Sequence, residues 1–159
     1  MKLKFKTAGI AKLQKTLDNL SKLEMTAGIH KGAGMHSEAG VLKAGLLAMH
    51  EFSDGEHYPR RPIGQITFDK HSEEWSDKAT KAIGRALVHS KNEKVVTQAE
   101  FKKALASTAN DMRKDMKRSF GRPPLEGNAP ATVEMKGFNT PMIETGELKN
   151  SITSKVRRK

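Results

Sequence analysis

The chain has 159 residues, of which 36% are apolar, and carries a formal net charge of +11 with no cysteine. That length supports one domain, residues 1–159, around one core. The missing cysteines exclude disulfides, thiolate nucleophiles and cysteine-based zinc or iron–sulfur centres. At the N-terminus Leu3 and Phe5 alternate with Lys2, Lys4 and Lys6, the period-2 pattern of a half-buried strand and not of a secretory leader. Thr7 is a candidate N-cap for a first helix, whose line Ile10, Leu13, Leu17 and Leu20 runs to about Leu23. Two heptads are too few for a coiled-coil seam, so this line is expected to pack on the core. A short strand is expected around Met25–His30, followed by the glycine-rich Gly32-Ala33-Gly34.

A second helix is expected over Val41–Phe52, burying Val41, Leu42, Gly45, Leu46 and Met49. Its apolar run Ala44 to Met49 is far short of the ~20 residues that cross a bilayer. Ser53-Asp54-Gly55 breaks that helix. Pro59 and Pro62 then hold Tyr58-Pro59-Arg60-Arg61-Pro62 extended. A third helix is expected from about Lys70 to Ser90, with Trp75, Ala79, Ile83, Ala86 and Leu87 aligned. A fourth, from about Thr97 to Phe120, aligns Phe101, Leu105, Thr108, Met112, Met116 and Phe120. Gly121 serves as its C-cap, and Pro123-Pro124 forbid its continuation. Residues 121–140 read as an extended arm or loop, rich in proline and glycine. Ser151–Val156 is a final strand by its β-branched residues. The fold class is therefore α+β: a small mixed or antiparallel sheet, about four helices, and a long arm before the C-terminal strand.

Charge is spread along the chain. Residues 1–58 carry +2 (8 basic, 6 acidic), 59–120 carry +6 (14 and 8) and 121–159 carry +3 (7 and 4). Acidic residues interrupt nearly every basic stretch, which fits acidic protein neighbours slightly better than a nucleic-acid groove. On the fourth helix Arg113, Lys114, Lys117 and Arg118 alternate with Asp111 and Asp115.

Catalytic constellations are not found. Gly32-Ala33-Gly34-Met35-His36-Ser37 lacks the third glycine of a dinucleotide loop, and no phosphate-binding loop ends in Gly-Lys-Ser/Thr. The six histidines are scattered, and His50-Glu51 lacks the second histidine of a helical zinc site. Glu73, Glu74 and Asp77 are candidates for two-metal or acid–base work. Lys78, Lys81 and Arg85 on the same helix favour an ion-paired solvent face instead. The expectation is a protein that is not an enzyme and has no catalytic residues, cofactor or metal.

Two segments remain that turn chemistry alone does not explain. One runs from Ala44 through Met49-His50-Glu51-Phe52 to Pro59-Arg60-Arg61-Pro62-Ile63. The other joins Pro123-Pro124-Leu125, Thr132 and Lys136 to Pro141-Met142-Ile143-Glu144-Thr145-Gly146-Glu147-Leu148-Lys149-Asn150-Ser151-Ile152. Together they resemble the neck, tail-completion or virion-morphogenesis proteins of tailed bacteriophages. In that family a helix ending in Glu-Phe or Glu-Tyr leads to an Arg-Pro-Phe loop. A Pro-Leu-Ile-Asp-Thr-Gly-x-Leu stretch then precedes the last strand. Ile63 stands where the family has Phe, Met142-Ile143-Glu144 replaces Leu-Ile-Asp, and Ser53-Asp54-Gly55 replaces an immediate Gly.

The resemblance implies a structural virion protein of the head–tail neck or tail top, assembled in the bacterial cytoplasm. It implies a cyclic homo-oligomer, a hexamer or dodecamer, stacked between a head-side connector and tail ring proteins such as a terminator. DNA would pass through the channel, and no membrane is involved. Arg61, Pro62, Pro141, Thr145, Gly146, Leu148 and Ile152 are the candidate assembly residues. The alternative class is a basic DNA-binding accessory protein.

Overall fold

The computed structural model describes residues 7–56, 59–90, 94–122 and 124–159. The chain is α+β, and its described elements are six helices and one two-stranded antiparallel sheet. In chain order they are α1 (Thr7–Ser21), β1 (Leu23–Gly28), α2 (Lys43–Phe52), α3 (Ile63–His89), α4 (Gln98–Ser119), α5 (Pro130–Lys136), α6 (Glu147–Asn150) and β2 (Thr153–Arg158). The strand expected at Leu3 and Phe5, and the capping side chain of Thr7, lie outside the described residues.

The frame is α3 against α4. Thr67 meets Ser119 at 2.7 Å, the Trp75 indole donates to Asp115 at 3.0 Å, and Lys78 pairs with Asp111. Partners that rise along α3 fall along α4, so the two helices are antiparallel. Of the aligned residues of α4, Phe101 and Thr108 are fully enclosed, Leu105, Met116 and Phe120 nearly so, and Met112 is half-buried. The start of α4 is fixed by a capping box. The Thr97 hydroxyl accepts from Glu100 N–H at 3.3 Å, and the Glu100 carboxylate accepts from Thr97 N–H at 2.8 Å. Gly121 stands one position beyond the cap Phe120, with φ 68° in the left-handed region.

α3 begins at Ile63 instead of Lys70, and the cause lies in α2. The Glu51 carboxylate accepts from Gly64 N–H and Gln65 N–H, both at 2.8 Å, and so satisfies two free donors of α3 from outside. A side chain at position 64 would meet that carboxylate within 3.1–3.3 Å, so glycine permits the approach.

The sheet lies against α4. β1 pairs antiparallel with β2, Leu23 opposite Arg158 and Gly28 opposite Thr153, so the C-terminal strand completes its own chain's sheet. One core cluster joins Leu47, Ile63, Met116, Phe120, Leu148 and Ile152. A second joins Leu23, Val96 and Phe101.

Three expectations fail in informative ways. α1 does not bury its apolar line: Ile10, Leu13 and Leu17 are 62%, 55% and 50% exposed. Its inner side is polar, with the Thr16 hydroxyl accepting from Val96 N–H at 3.2 Å and the Asn19 amide donating to Val96 C=O at 2.9 Å. α2 buries Leu47 and half-buries Leu46, while Val41, Leu42, Gly45 and Met49 face outward. The face lies about one residue, or ~100°, from the expected one. Residues 121–140 are not extended throughout. They hold α5, and their ends touch: a Cβ on Gly121 would lie 2.4 Å from the Thr140 methyl. Inside this loop Asn128 N–H donates to Asn139 Oδ1 at 2.8 Å.

Candidate functional site

Both segments that carried the family resemblance meet at one cavity of about 500 Å³. Arg61 and His50 form one part of its wall, the loop at Asn128 and Lys136 another, and Thr145 to Leu148 a third. They converge because α2 docks on the start of α3 through Glu51, while Leu148 and Ile152 anchor the C-terminal segment into the core beside Leu47 and Ile63.

Glu147 ties the C-terminal segment to the glycine-rich loop. Its carboxylate accepts from Ser37 N–H at 3.1 Å and the Ser37 hydroxyl at 2.6 Å, and it pairs with Lys43 at 2.9 Å. The Ser37 hydroxyl first, then the Lys43 ammonium, hold the Glu147 carboxyl at about 2, well below the usual carboxylate range. Gly146 precedes it with φ 77° as the N-cap of α6, a left-handed position that suits glycine. Thr145 accepts from Glu147 N–H at 3.3 Å through its hydroxyl. The Gly32–Gly34 stretch leads not into a helix but into a tight reversal closed by His36 N–H to Val41 C=O at 2.8 Å, so it has no dinucleotide-binding geometry.

Arg61 is only 7% exposed. Its guanidinium donates through Nη2 to Gly127 C=O at 3.1 Å and to Asn128 Oδ1 at 3.3 Å, and its Nε has no partner. Burial lowers its pKa, opposed by the charge of Glu126. His50, whose C=O accepts from Arg61 N–H at 2.8 Å, has its pKa lowered chiefly by burial and also by the Arg61 charge. Across the cavity Lys136 pairs with Glu144 at 3.7 Å.

The remaining candidates are dispersed. Pro62 is the N-cap of α3, and Pro141 is buried. Leu148 (5% exposed) and Ile152 (fully buried) are core residues, so any contact they make with a neighbour is indirect. Thr145 is exposed at the rim, and Gly146 is half-buried beside it. Glu73, Glu74 and Asp77 are all exposed. The expected pairing along α3 is absent: Lys78 reaches Asp111 on α4, and Glu74 pairs with His71 at 3.5 Å. On α4, Arg118 pairs with Asp115 at 3.0 Å, Lys114 with Asp111 at 3.8 Å, and Lys117 donates to Asn150 C=O at 3.2 Å.

Ser37, Lys43, Glu51 and Asn128 are site residues that sequence reasoning did not single out. Glu51 carried a signal through its place in the first segment, and Ser37 through its place at the end of the glycine-rich stretch. Among the described residues no group of three or more His, Asp or Glu side chains is arranged to hold a metal, and no helix is long and apolar enough to cross a membrane. No family model, curated protein or solved structure matches the chain.

Proposed function

We propose that this chain is a structural subunit of a tailed-bacteriophage particle. It forms a homo-oligomeric ring at the head–tail neck or tail top and completes the tail or joins it to the head. The observation that carries the reading is the convergence of Arg61 with Thr145, Gly146 and Glu147 on one cavity. These are the residues that resemble the phage neck and tail-completion family, and they come from segments far apart in the chain. A cavity walled by several loops and rimmed with paired charges is suited to receive part of a neighbouring subunit, as head-to-tail ring closure requires. The work of such a protein is assembly, with no bond made or broken.

The test is complementation of a phage lacking the gene, beside low-resolution imaging of the purified chain. Closed rings and restored infectivity are the expected results. Failure to complement, with salt-dependent retention of the chain on DNA, would favour the alternative class of basic DNA-binding accessory protein.

A further inference from the structure

We propose that Arg61 and Asn128 form a receptor for a single carboxylate group at the boundary of this cavity. Arg61 is 93% buried, and among the described residues no carboxylate lies within ion-pairing distance of it. A guanidinium taken out of water without an anion is costly, and two neutral acceptors on Nη2 do not replace one. Two enclosed donors on residues of this wall lack acceptors altogether: Nε of Arg61 and Nδ2 of Asn128. The 3.3 Å contact between Arg61 Nη2 and Asn128 Oδ1 joins the two side chains that carry them. A carboxylate has two oxygens, and one such group can accept from both while supplying the missing charge.

The surroundings select the charge of the ligand. Lys43 pairs with Glu147 and Lys136 with Glu144, whereas Arg61 has no ion pair among the described residues. Glu38 also lines the cavity, and Glu126 stands on the far side of Arg61 near enough to act on its charge. Three cations, Lys43, Lys136 and Arg61, stand among four carboxylates, Glu38, Glu126, Glu144 and Glu147, so a dianion such as phosphate is repelled more strongly than a single carboxylate held by the Arg61 fork.

A carboxylate can reach the site free in solution or on a second copy of this chain. The second source rests on the ring reading. The chain offers it a row: Asp69, Glu73 and Asp77 are exposed at four-residue spacing on one face of α3, with no ion pair among the described residues. Such a contact joins two different patches and is therefore head-to-tail.

The experiment follows the Arg61 Nε–H and Asn128 side-chain amide signals of the isotope-labelled full chain by nuclear magnetic resonance. Acetate replaces chloride at constant ionic strength, and protein concentration is varied separately. A saturable shift of both signals with acetate, lost in Arg61→Lys or Asn128→Ala, supports a site open to free carboxylates. A shift with protein concentration alone, abolished in D69N/E73Q/D77N, supports donation by a second copy. A concentration response that survives the triple substitution removes that source. Signals that answer to neither variable overturn the proposal. A monomer that responds to acetate keeps the site and removes the ring; a ring former that does not respond does the reverse.

Discussion

On α4 the apolar positions Phe101, Leu105, Met116 and Phe120 are at most 7% exposed, whereas on α1 similar spacing leaves Ile10, Leu13 and Leu17 at least half exposed. The two helices differ in what surrounds them. α4 is covered by α3, β1 and β2, while α1 meets the body mainly through Thr16 and Asn19 at Val96 and through Leu20 beside the Leu23 cluster. Helical spacing reports that a stripe exists. Whether the stripe is covered depends on partners elsewhere in the chain, or outside it.

The largest expected effect breaks the covered side of this comparison. Phe101 is fully enclosed between Leu23 and Val96, so Phe101→Ala should cost about 3–5 kcal/mol in chemical denaturation. A loss under about 1 kcal/mol would mean that α4 is not the centre of the core. Gly121→Ala comes next, at about 1–3 kcal/mol. It forces a side chain into a left-handed backbone, 2.4 Å from the Thr140 methyl. Proteolysis should then nick residues 122–139 faster than in the parent chain. Thr97→Ala, which removes half of the capping box, should cost about 1 kcal/mol. The same substitution at Thr16 acts on the α1 contact instead and leaves α4 capped.

How much of this was legible follows the same division. The extent of α4, the class of the fold and the existence of β1 and β2 were readable because period and breakers agree there. α3 was cut short because its first turn is capped by Glu51, a residue distant in sequence that no local rule connects to Gly64. The inward turn of Thr16 and outward turn of Leu13 invert the usual amphipathic reading, which assigns the apolar side to the core. At the cavity, the Arg61-Pro62 and Thr145–Leu148 stretches were noticed as patterns. Ser37, Lys43 and Asn128 were not, since they matter only through hydrogen bonds made after folding. Leu148 and Ile152, which the resemblance marks as assembly candidates, lie in the core cluster.

A smaller and pH-dependent effect concerns the polar attachment of the cavity. Glu147 has its folded pKa lowered from 4.5 to about 2 by Ser37 and Lys43. Its contribution is therefore complete above pH 4.5 and is lost as pH falls from 4.5 toward 2. Glu147→Gln should flatten the dependence of stability on pH in that window and leave the slope above pH 5 unchanged. His50 acts in a separate window. Burial and the Arg61 charge lower its pKa from 6.5, so its contribution is lost as pH falls below 6.5. His50→Asn should remove part of the slope just below that value. An unchanged slope in both variants would place the acid response in other groups.

The smallest expected effect on the isolated chain is the one that tests the comparison itself. If α1 is held by Thr16, Asn19 and Leu20, then replacing Leu13 and Leu17 by Ser removes apolar surface that is already half in water. Surface substitutions of that kind change stability by about 0.5 kcal/mol or less, against about 2–5 kcal/mol for truncating a covered leucine. The measurement is urea denaturation of the monomer at low concentration, with Leu105→Ala on α4 as the covered reference. A near-neutral double substitution beside a costly Leu105→Ala would establish that like spacing on the two helices carries unlike energy. A cost at Leu13 and Leu17 equal to that at Leu105 would show that α1 turns its leucines inward in solution. Thr16→Val separates the two arrangements. With Thr16 inward it should break the hydrogen bond from Val96 N–H and cost about 1 kcal/mol. With the leucines inward, Thr16 would face water and the change should be close to neutral.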